Sequence, residues 1–339
     1  MRYLVLALAL SGAPALLADT EDSVRRSVPI EGSSHFVLSA EFGAIRIQPG
    51  ATGFAEVEIR FRGKPHSRAE FDRMLRDFAL DVTPEGSRTR VEGRFKNGWR
   101  PASSLLSGRN WCHDDRCLEY TWLRHIEYRV SLPRQMSVDL STSGGSIQVG
   151  DLTGAVAART SGGSLSFGRI DGAVNGSTSG GSITLAASKG KAVLHTSGGT
   201  IRIEESAGEV DAETSGGSIH VNRAGGRVRA RTSGGGISIR DCTGAIDAST
   251  SGGNVTASLL AQPAEESRLS TSGGSIRVDL ASNARVEVEA STSGGSVSTD
   301  FPVSSRSRDR SSLRAAINGG GPLLQLRTSG GGIQIRRAR

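Results

Sequence analysis

Cysteine and histidine are the side chains here best suited to redox or metal chemistry, and the sequence has only three Cys and six His among 339 residues. Cys112 and Cys117 are five positions apart with His113 between them, whereas Cys242 lies far along the chain. In an oxidising compartment such a pair closes a small disulfide loop. A zinc site that adds His113 and His125 is the alternative, but the C-x4-C spacing is wider than in common zinc fingers. We therefore predict a Cys112–Cys117 disulfide and no metal site.

No catalytic motif accompanies these residues. The sequence contains no G-x-S-x-G elbow, no H-E-x-x-H pair and no Walker loop. Glycoside hydrolysis would need carboxylates clustered on one face. The acids Asp151, Asp171, Asp211 and Asp247 instead fall at different positions of the repeat described below. We predict a protein that is not an enzyme, with no catalytic residues and no cofactor; a carbohydrate-active β-helix enzyme or a glycan-binding protein is the alternative.

Four aromatic side chains are the candidates for ligand binding: Trp99, Trp111, Tyr120 and Trp122. All four lie in an insertion, residues 97–124, which also holds the cysteine pair. Exposed Trp and Tyr rings can stack on sugars, but aromatic side chains are more often buried, where they would pack or cap the fold. Both roles remain open for this insertion.

A tetrapeptide repeat dominates the rest of the chain. Thr-Ser-Gly-Gly begins at ten positions, the first seven of them 18 residues apart: Thr142, Thr160, Thr178, Thr196, Thr214, Thr232, Thr250, Thr271, Thr292 and Thr328. The last gap is 36 residues long and contains Ile317-Asn-Gly-Gly-Gly321, which we interpret as a degenerate copy. A period of this length is typical of a solenoid.

Each unit carries two short stretches with a period of two. The residues two and four positions before the Thr are small or apolar, and those five and seven positions after it are apolar, as Ile183 and Leu185 show. Such stretches predict two strands with one buried face each. We expect an all-β parallel β-solenoid, with about 18 residues and two short strands per rung and strands about 4.8 Å apart. We expect the corner glycines to permit positive φ, and the threonines to face inward with their hydroxyls bonded along the stack.

Charged positions of neighbouring units are complementary, with Glu209, Asp211 and Glu213 in one unit and Arg227, Arg229 and Arg231 in the next. Stacked rungs would place each acid beside an arginine, which predicts ion pairs on the surface rather than a site for a polyanion. Cys242 occupies the repeat position of Leu152 and Ile170, so we predict that its thiol is buried in the core.

The N-terminal part has a different composition, because most of the aromatic residues lie there. Phe42-Gly-Ala-Ile-Arg-Ile47 resembles the repeat and predicts a first rung. From Ser67 to Phe78 the apolar spacing predicts an amphipathic helix. We predict that residues 19–135 form a β-rich cap, which contains this one short helix, and that residues 136–339 form the solenoid. The basic tail Arg336-Arg337-Ala-Arg339 is predicted to protect the last open edge.

The first 18 residues have the pattern of a secretory signal peptide: a positive start, an apolar run and small residues before Asp19. No apolar stretch long enough to span a membrane follows, so we predict no transmembrane segment in the mature chain. The net charge is +7, but 34 acidic residues are interspersed with 41 basic ones, so we do not predict nucleic-acid binding.

The Thr-Ser-Gly-Gly-Ser-Ile copies, the segment Leu132-Pro-Arg134 ahead of Ser137-Val-Asp-Leu140, and Ile317-Asn-Gly-Gly-Gly-Pro322 resemble a bacterial putative-adhesin family of domains of unknown function. This family is grouped with the auto-transporter adhesin head domains. The resemblance implies a β-solenoid and an exported, non-enzymatic adhesin, scaffold or binding module in the periplasm or at the cell surface. Its partner would be an envelope or surface component, a glycan or a protein. The resemblance assigns no binding residues.

Overall fold

The computed structural model describes residues 20–30, 32–50, 53–65, 67–96 and 123–338. The N-terminal elements are β1 (Thr20–Pro29), β2 (His35–Ala40), β3 (Ala44–Pro49), β4 (Phe54–Gly63), α1 (Arg68–Asp77), β5 (Phe78–Glu85), β6 (Arg88–Phe95) and β7 (Leu123–Leu132). The repeat forms β8 (Ser137–Thr142), β9 (Ile147–Val149), β10 (Leu152–Thr153), β11 (Val156–Thr160), β12 (Leu165–Asp171), β13 (Val174–Thr178), β14 (Ile183–Ser188), β15 (Ala192–Thr196), β16 (Ile201–Ser206), β17 (Val210–Thr214), β18 (Ile219–Ala224), β19 (Val228–Thr232), β20 (Ile237–Ile239), β21 (Ile246–Thr250), β22 (Val255–Leu259), β23 (Ser267–Thr271) and β24 (Ile276–Leu280). The C-terminal elements are β25 (Val286–Thr292), β26 (Val297–Thr299), β27 (Val303–Arg308), β28 (Ser312–Ile317), β29 (Leu323–Thr328) and β30 (Ile333–Arg337).

In the described part of the chain the strands form two facing sheets of 15 strands each, in which successive units of the repeat are stacked. Strands that end at a repeat threonine form one sheet, which we name the leading wall; strands that follow the Gly-Gly form the other, the trailing wall. Neighbouring rungs are parallel and in register, so that Thr160 lies between Thr142 and Thr178. The predicted parallel β-solenoid is confirmed.

The core between the walls is narrow and made of small and branched apolar side chains. Ile183, Leu185 and Leu194 are at most 1% exposed. Phe167 fits into this width because the facing position is Gly176, where a Cβ atom would lie 2.9 Å from the ring. The space that the Phe167 ring needs is thus available because Gly176 on the facing wall has no side chain.

The corner glycines are needed for a different reason from the one predicted. Each unit has two corners: the Gly-Gly pair after the repeat threonine, and a second corner, which has a glycine twelve residues after that threonine in the units that begin at Thr142 to Thr232. Among all these glycines of the repeat, only Gly154 has positive φ. The second glycine of each pair instead allows the backbones of successive rungs to approach closely, since a Cβ atom on Gly181 would lie 2.2 Å from the carbonyl oxygen of Gly163. The expectation of positive φ at these corners is therefore wrong, and stacking is what excludes a side chain.

The threonine hydroxyls join the rungs, as predicted. Thr178 Oγ1 donates to the carbonyl oxygen of Gly163 at 2.8 Å, and the amide of Gly163 donates to Thr160 Oγ1 at 3.4 Å. All ten repeat threonines donate in this way at 2.6–2.9 Å. Since these side chains are 2–7% exposed, water competes little for the bonds.

The N-terminal strands continue the same two sheets. β2 and β3 form the predicted first rung, parallel to β8 and β9, and β6 and β7 form a further rung beneath it. β4 and β1 then pair antiparallel on one wall, and β5 does so on the other. The end of the core is covered by aromatic rings, with Phe78 at 5.0 Å from Phe61 and 5.4 Å from Phe95 between ring centroids.

Helix α1 forms where the apolar spacing predicted it. Ser67 caps its N-terminus by accepting a hydrogen bond from the amide of Glu70 at 3.2 Å. Phe71 and Met74 are fully buried on its inner face. The helix is thereby fixed to the end of the solenoid that the aromatic residues close.

The C-terminal rungs depart from the order of the chain. β29 lies between β23 and β25, and β30 lies between β24 and β26, so the last unit is inserted between its two predecessors. Arg336 and Arg337 lie on β30, an inner strand that pairs with β24 along all five residues and with β26 at residues 333–335. The predicted protection of the last outer edge is therefore wrong. The segment Ile317-Asn-Gly-Gly-Gly321, predicted to be a degenerate copy, instead joins β28 to β29 on the same wall and is not a corner between the two walls. Residues 303–317 before it form an antiparallel hairpin, β27–β28, that pairs with β25.

Substituting alanine at Gly181 should lower the free energy of unfolding by about 1–3 kcal/mol, because the added Cβ meets backbone of the preceding rung. The adjacent Gly180 is the matched control, since its Cβ would lie 3.5 Å from the nearest atom. Gly180→Ala should leave stability unchanged or raise it by up to about 1 kcal/mol. Urea unfolding measures both; equal losses would contradict the stacking explanation.

Replacing Thr196 with valine keeps its volume and removes the hydroxyl that bonds Gly181 at 2.8 Å and Gly199 at 3.3 Å. Buried backbone groups lose their partner, so unfolding should become easier by about 1–3 kcal/mol. Ser197→Ala, at the next position on the exposed side of the corner, should change the unfolding midpoint little. A neutral Thr196→Val variant would show that the hydroxyl column contributes nothing.

Candidate functional site

The residues predicted to bind ligand lie outside the described residues. This applies to Trp99, Trp111, Tyr120 and Trp122, to Cys112 and Cys117 with their predicted disulfide, to His113, and to the signal segment 1–18. The described strands nevertheless fix where the insertion leaves the solenoid. β6 ends on the leading wall and β7 begins on the trailing wall, so residues 97–122 connect the two walls as Thr-Ser-Gly-Gly does in other rungs. The insertion thus takes the place of a first corner, beside the cap.

Two basic side chains, Arg94 and Lys96, lie at the end of β6, just before this connection. Arg94 pairs with Asp81 at 3.0 Å, and Lys96 Nζ donates to the carbonyl oxygen of Arg76 at 2.9 Å. His125, the described member of the alternative zinc site, is exposed on β7. No three Cys, His, Asp or Glu side chains in the described part of the chain are grouped to hold a metal ion.

A groove lies at the opposite corner of the solenoid, between the end of each trailing strand and the start of the next rung. We name it the second-corner groove. It has a volume of about 440 Å³, and its charged lining consists of Arg134, Asp151, Arg169, Asp171, Lys189 and Glu205. Leu152, Ile170, Ala187, Ser188 and Ala207 also line it.

The groove arises where the repeat varies. Asp151, Arg169 and Glu205 occupy the position nine residues after their repeat threonine, and Ala187 occupies it in the rung between. Ala207 likewise follows Lys189 at a second exposed position. Because short alanine side chains are set among long charged ones in stacked rungs, a depression with charged walls results.

The groove contains paired charges of both signs. Lys189 Nζ lies 2.5 Å from the Asp171 carboxylate, and Arg223 lies 2.8 Å from Glu205. Asp151 accepts from the amide of Arg169 at 2.8 Å. Exposed pairs of this kind contribute little to stability, so a ligand can replace a partner at low cost.

Two buried serines lie directly beneath this groove. Ser188 and Ser206 share a hydrogen bond of 3.0 Å between their hydroxyl oxygens and are at most 3% exposed. They continue the inward column that begins with Leu152 and Ile170. We did not predict this pair; two serines at one repeat position in consecutive units are the signal that could have identified it.

Cys242 ends the same column and is fully buried, as predicted. It is a free cysteine. Burial raises the pKa of its thiol to about 11, which keeps the sulfur protonated at neutral pH.

The four acids considered for catalysis are divided between two places. Asp151 and Asp171 share the second-corner groove with Glu205. Asp211 and Asp247 are instead on the leading wall, each three positions before its repeat threonine. These two acids therefore share one repeat position, and the expectation of four different positions is wrong.

Asp247 lies 3.6 Å from Arg229 and 3.5 Å from Arg231. Surface ion pairs are present, but they are not the predicted ones. Arg229 and Arg231 pair with the acid of the following rung rather than with those of the preceding one, and Arg227 pairs with Glu265.

No helix in the described ranges is long and apolar enough to cross a membrane.

Comparison with known proteins supports the repeat assignment. Residues 226–336, about a third of the chain, match the family model Toastrack DUF4097. The resemblance to a domain family of unknown function with repeated β-structure is thereby confirmed. No curated protein matches the sequence.

Several solved structures align with most of the chain. A putative adhesin from Parabacteroides merdae ATCC 43184 is 10% identical, with 94% of this chain and 96% of that chain covered and a TM-score of 0.42. A putative lipid binding protein from Parabacteroides distasonis ATCC 8503 is 9% identical, with 94% and 97% covered and a TM-score of 0.40. A putative adhesin from Bacteroides fragilis NCTC 9343 is 14% identical, with 94% and 97% covered and a TM-score of 0.36. At these identities and TM-scores the alignments say nothing about ligand or activity.

Burial should protect Cys242 from alkylation. In the folded protein at pH 8, iodoacetamide should leave this thiol unmodified, because it is both protonated and inaccessible. In urea above the unfolding transition it should react fully. Peptide mass mapping distinguishes Cys242 from the other cysteines; rapid labelling in the native state would contradict its place in the core.

Proposed function

We propose that the protein is a non-catalytic, adhesin-like binding module that works outside the cytoplasm and holds a polar component of the cell surface or envelope. The second-corner groove carries this proposal, because it is a concave surface with charges of both signs on a rigid stack of backbone. Three of the charged residues of the groove lie on strands and the other three lie close to strand ends, so the regular stack fixes their positions. The signal-like residues 1–18 support export.

The environment of the three carboxylates in the groove supports binding rather than catalysis. A glycosidase needs a general acid that retains its proton, usually in an apolar pocket. Asp151, Asp171 and Glu205 have side chains that are 38%, 43% and 53% exposed, and each contacts an arginine or lysine. Such groups are suited to exchanging ion pairs with a ligand.

The insertion offers a second candidate binding surface, at the corner opposite the groove. It leaves the solenoid at the first corner of the rung that contains β6 and β7, beside the cap. Its Trp and Tyr side chains could stack on sugar rings, and the groove could separately bind charged or hydroxyl groups. A polysaccharide or a glycosylated surface protein fits this combination.

Binding is tested with the chain from Asp19 onward against immobilised neutral, acidic and amino-sugar polysaccharides, measured by biolayer interferometry. Lys189→Glu places a like charge beside Asp171 and should weaken binding about tenfold or more, with an effect that shrinks at high salt. Lys191→Glu is the matched control, because this lysine is exposed and paired with Glu209 at 3.3 Å but does not line the groove.

A third variant replaces residues 97–122 with Thr-Ser-Gly-Gly and is checked for native circular dichroism. If this third variant loses binding while the Lys189→Glu variant binds normally, the ligand is held by the insertion and the role of the groove is contradicted. If none of the polysaccharides or isolated envelope fractions binds the unaltered chain, the proposal of a binding module is wrong.

A carbohydrate-active enzyme is the second candidate, because Asp151, Asp171 and Glu205 share one groove. The same polysaccharides are incubated with the protein, and new reducing ends are measured. We expect none. Turnover that Asp151→Asn or Glu205→Gln abolishes would replace the binding proposal with this one.

A further inference from the structure

The terminal unit, residues 323–337, occupies a slot that the order of the chain does not provide. This slot is the space between rung β23–β24 and rung β25–β26, which follow one another in the sequence. Direct stacking of those two rungs would leave no room for a third. The terminal unit therefore joins a stack whose neighbouring rungs precede it in the chain.

The slot binds the terminal unit on both sides. Thr328 Oγ1 donates to the carbonyl oxygen of Gly274 at 2.7 Å, and Thr292 Oγ1 donates to that of Gly331 at 2.6 Å. On the leading wall, β29 is parallel to β25 from Leu323 to Thr328 and to β23 from Leu324 to Thr328. Leu324, Leu326, Ile333 and Ile335 are at most 1% exposed. An empty slot would leave two apolar rung faces uncovered.

These contacts are common to every rung. A threonine hydroxyl bonds a glycine carbonyl, and apolar residues of equal spacing meet in register, as in the seven units with an 18-residue period. The contacts made in the slot are therefore the same whether the unit that fills it belongs to the same chain or to another one. The terminal unit of a second copy presents the same groups.

The connection to the terminal unit is able to rearrange. Asn318, Gly319 and Gly320 all have positive φ, at 52°, 92° and 83°. Gly321 crosses close over the start of β25, where a Cβ atom would lie 2.2 Å from the carbonyl oxygen of Arg285. Glycine allows this tight crossing and equally allows the segment to extend. Hinges that are tight in the closed form are typical of proteins that exchange segments.

We propose that the slot also accepts the terminal unit of a second copy, so that two chains exchange residues 323–337 and form a dimer joined near the C-terminal ends of their solenoids. The exchange is reciprocal and leaves no slot open, so it closes at two chains rather than forming filaments. The inference does not depend on the proposed function, although two grooves in one dimer would bind a polymer with higher avidity.

Thiols at registered positions test the exchange. Ser270 on β23 lies beside Arg327 on β29, and both side chains face outward. One full chain carries Ser270→Cys and another carries Arg327→Cys; they are unfolded together, refolded and oxidised. We expect a disulfide-linked dimer, with the two introduced thiols joined in about half of the exchanged dimers by random pairing. Peptide mass mapping identifies this link against the native cysteines.

Two controls define the result. A single chain with both substitutions should form the link internally, since the closed form places the positions side by side. A mixture of Ser249→Cys and Ser270→Cys chains should give no link between chains, because these rungs follow one another in the solenoid and do not exchange. If the single chain links and the first mixture does not, exchange is excluded.

The hinge gives an independent measurement. Deleting residues 319–321 shortens the crossover over β25, so the closed form becomes strained and the exchanged form should increase several-fold. Size-exclusion chromatography with light scattering, over a series of protein concentrations, measures the dimer fraction. A folded, monomeric deletion variant would overturn the proposal. If that variant does not fold, the mixture of cysteine chains decides the question.

Discussion

The structure depends on one contact, the hydrogen bond from a buried threonine hydroxyl to the glycine carbonyl of the rung before it. Thr178 and Gly163 show the arrangement at 2.8 Å, and the same glycine returns its amide to Thr160. The bond forms only where two backbones stack without an intervening Cβ atom. The threonine hydroxyl and the glycine without a side chain are therefore both needed, and together they set the spacing between rungs.

The first corner has the same Thr-Ser-Gly-Gly sequence in every unit, whereas the residues at the second corner differ from unit to unit. The inward column there changes from Leu152 to Ser188 and finally to Cys242, and the outward positions hold acidic, basic and uncharged residues in different rungs. Such variation is possible because the threonine column, which joins every rung, lies at the first corner and not at this one. It also produces the second-corner groove, where short and long side chains follow one another in stacked rungs. A repetitive scaffold thus obtains a distinctive surface without disturbing its stacking.

The same uniformity explains the order of the last rungs. Since every unit offers the same threonine, glycines and apolar spacing, the contacts alone do not specify which rung follows which. At the C-terminus the hairpin β27–β28 pairs with one side of β25 and leaves the other side for β29. The order is set by these antiparallel pairings and by the short crossover at Asn318, and the terminal unit becomes an insert.

The amino-acid sequence by itself determined the rung, its period, the inward threonines and the helix that begins after Ser67, because each depends on residues within one unit or one turn. Only the tertiary structure decided the place of Arg336, the sharing of one groove by Asp151 and Glu205, and the stacking reason for Gly181. These features join residues that are separated by whole rungs. Local periodicity fixes which face a side chain occupies, but the neighbours on that face depend on how distant strands pair.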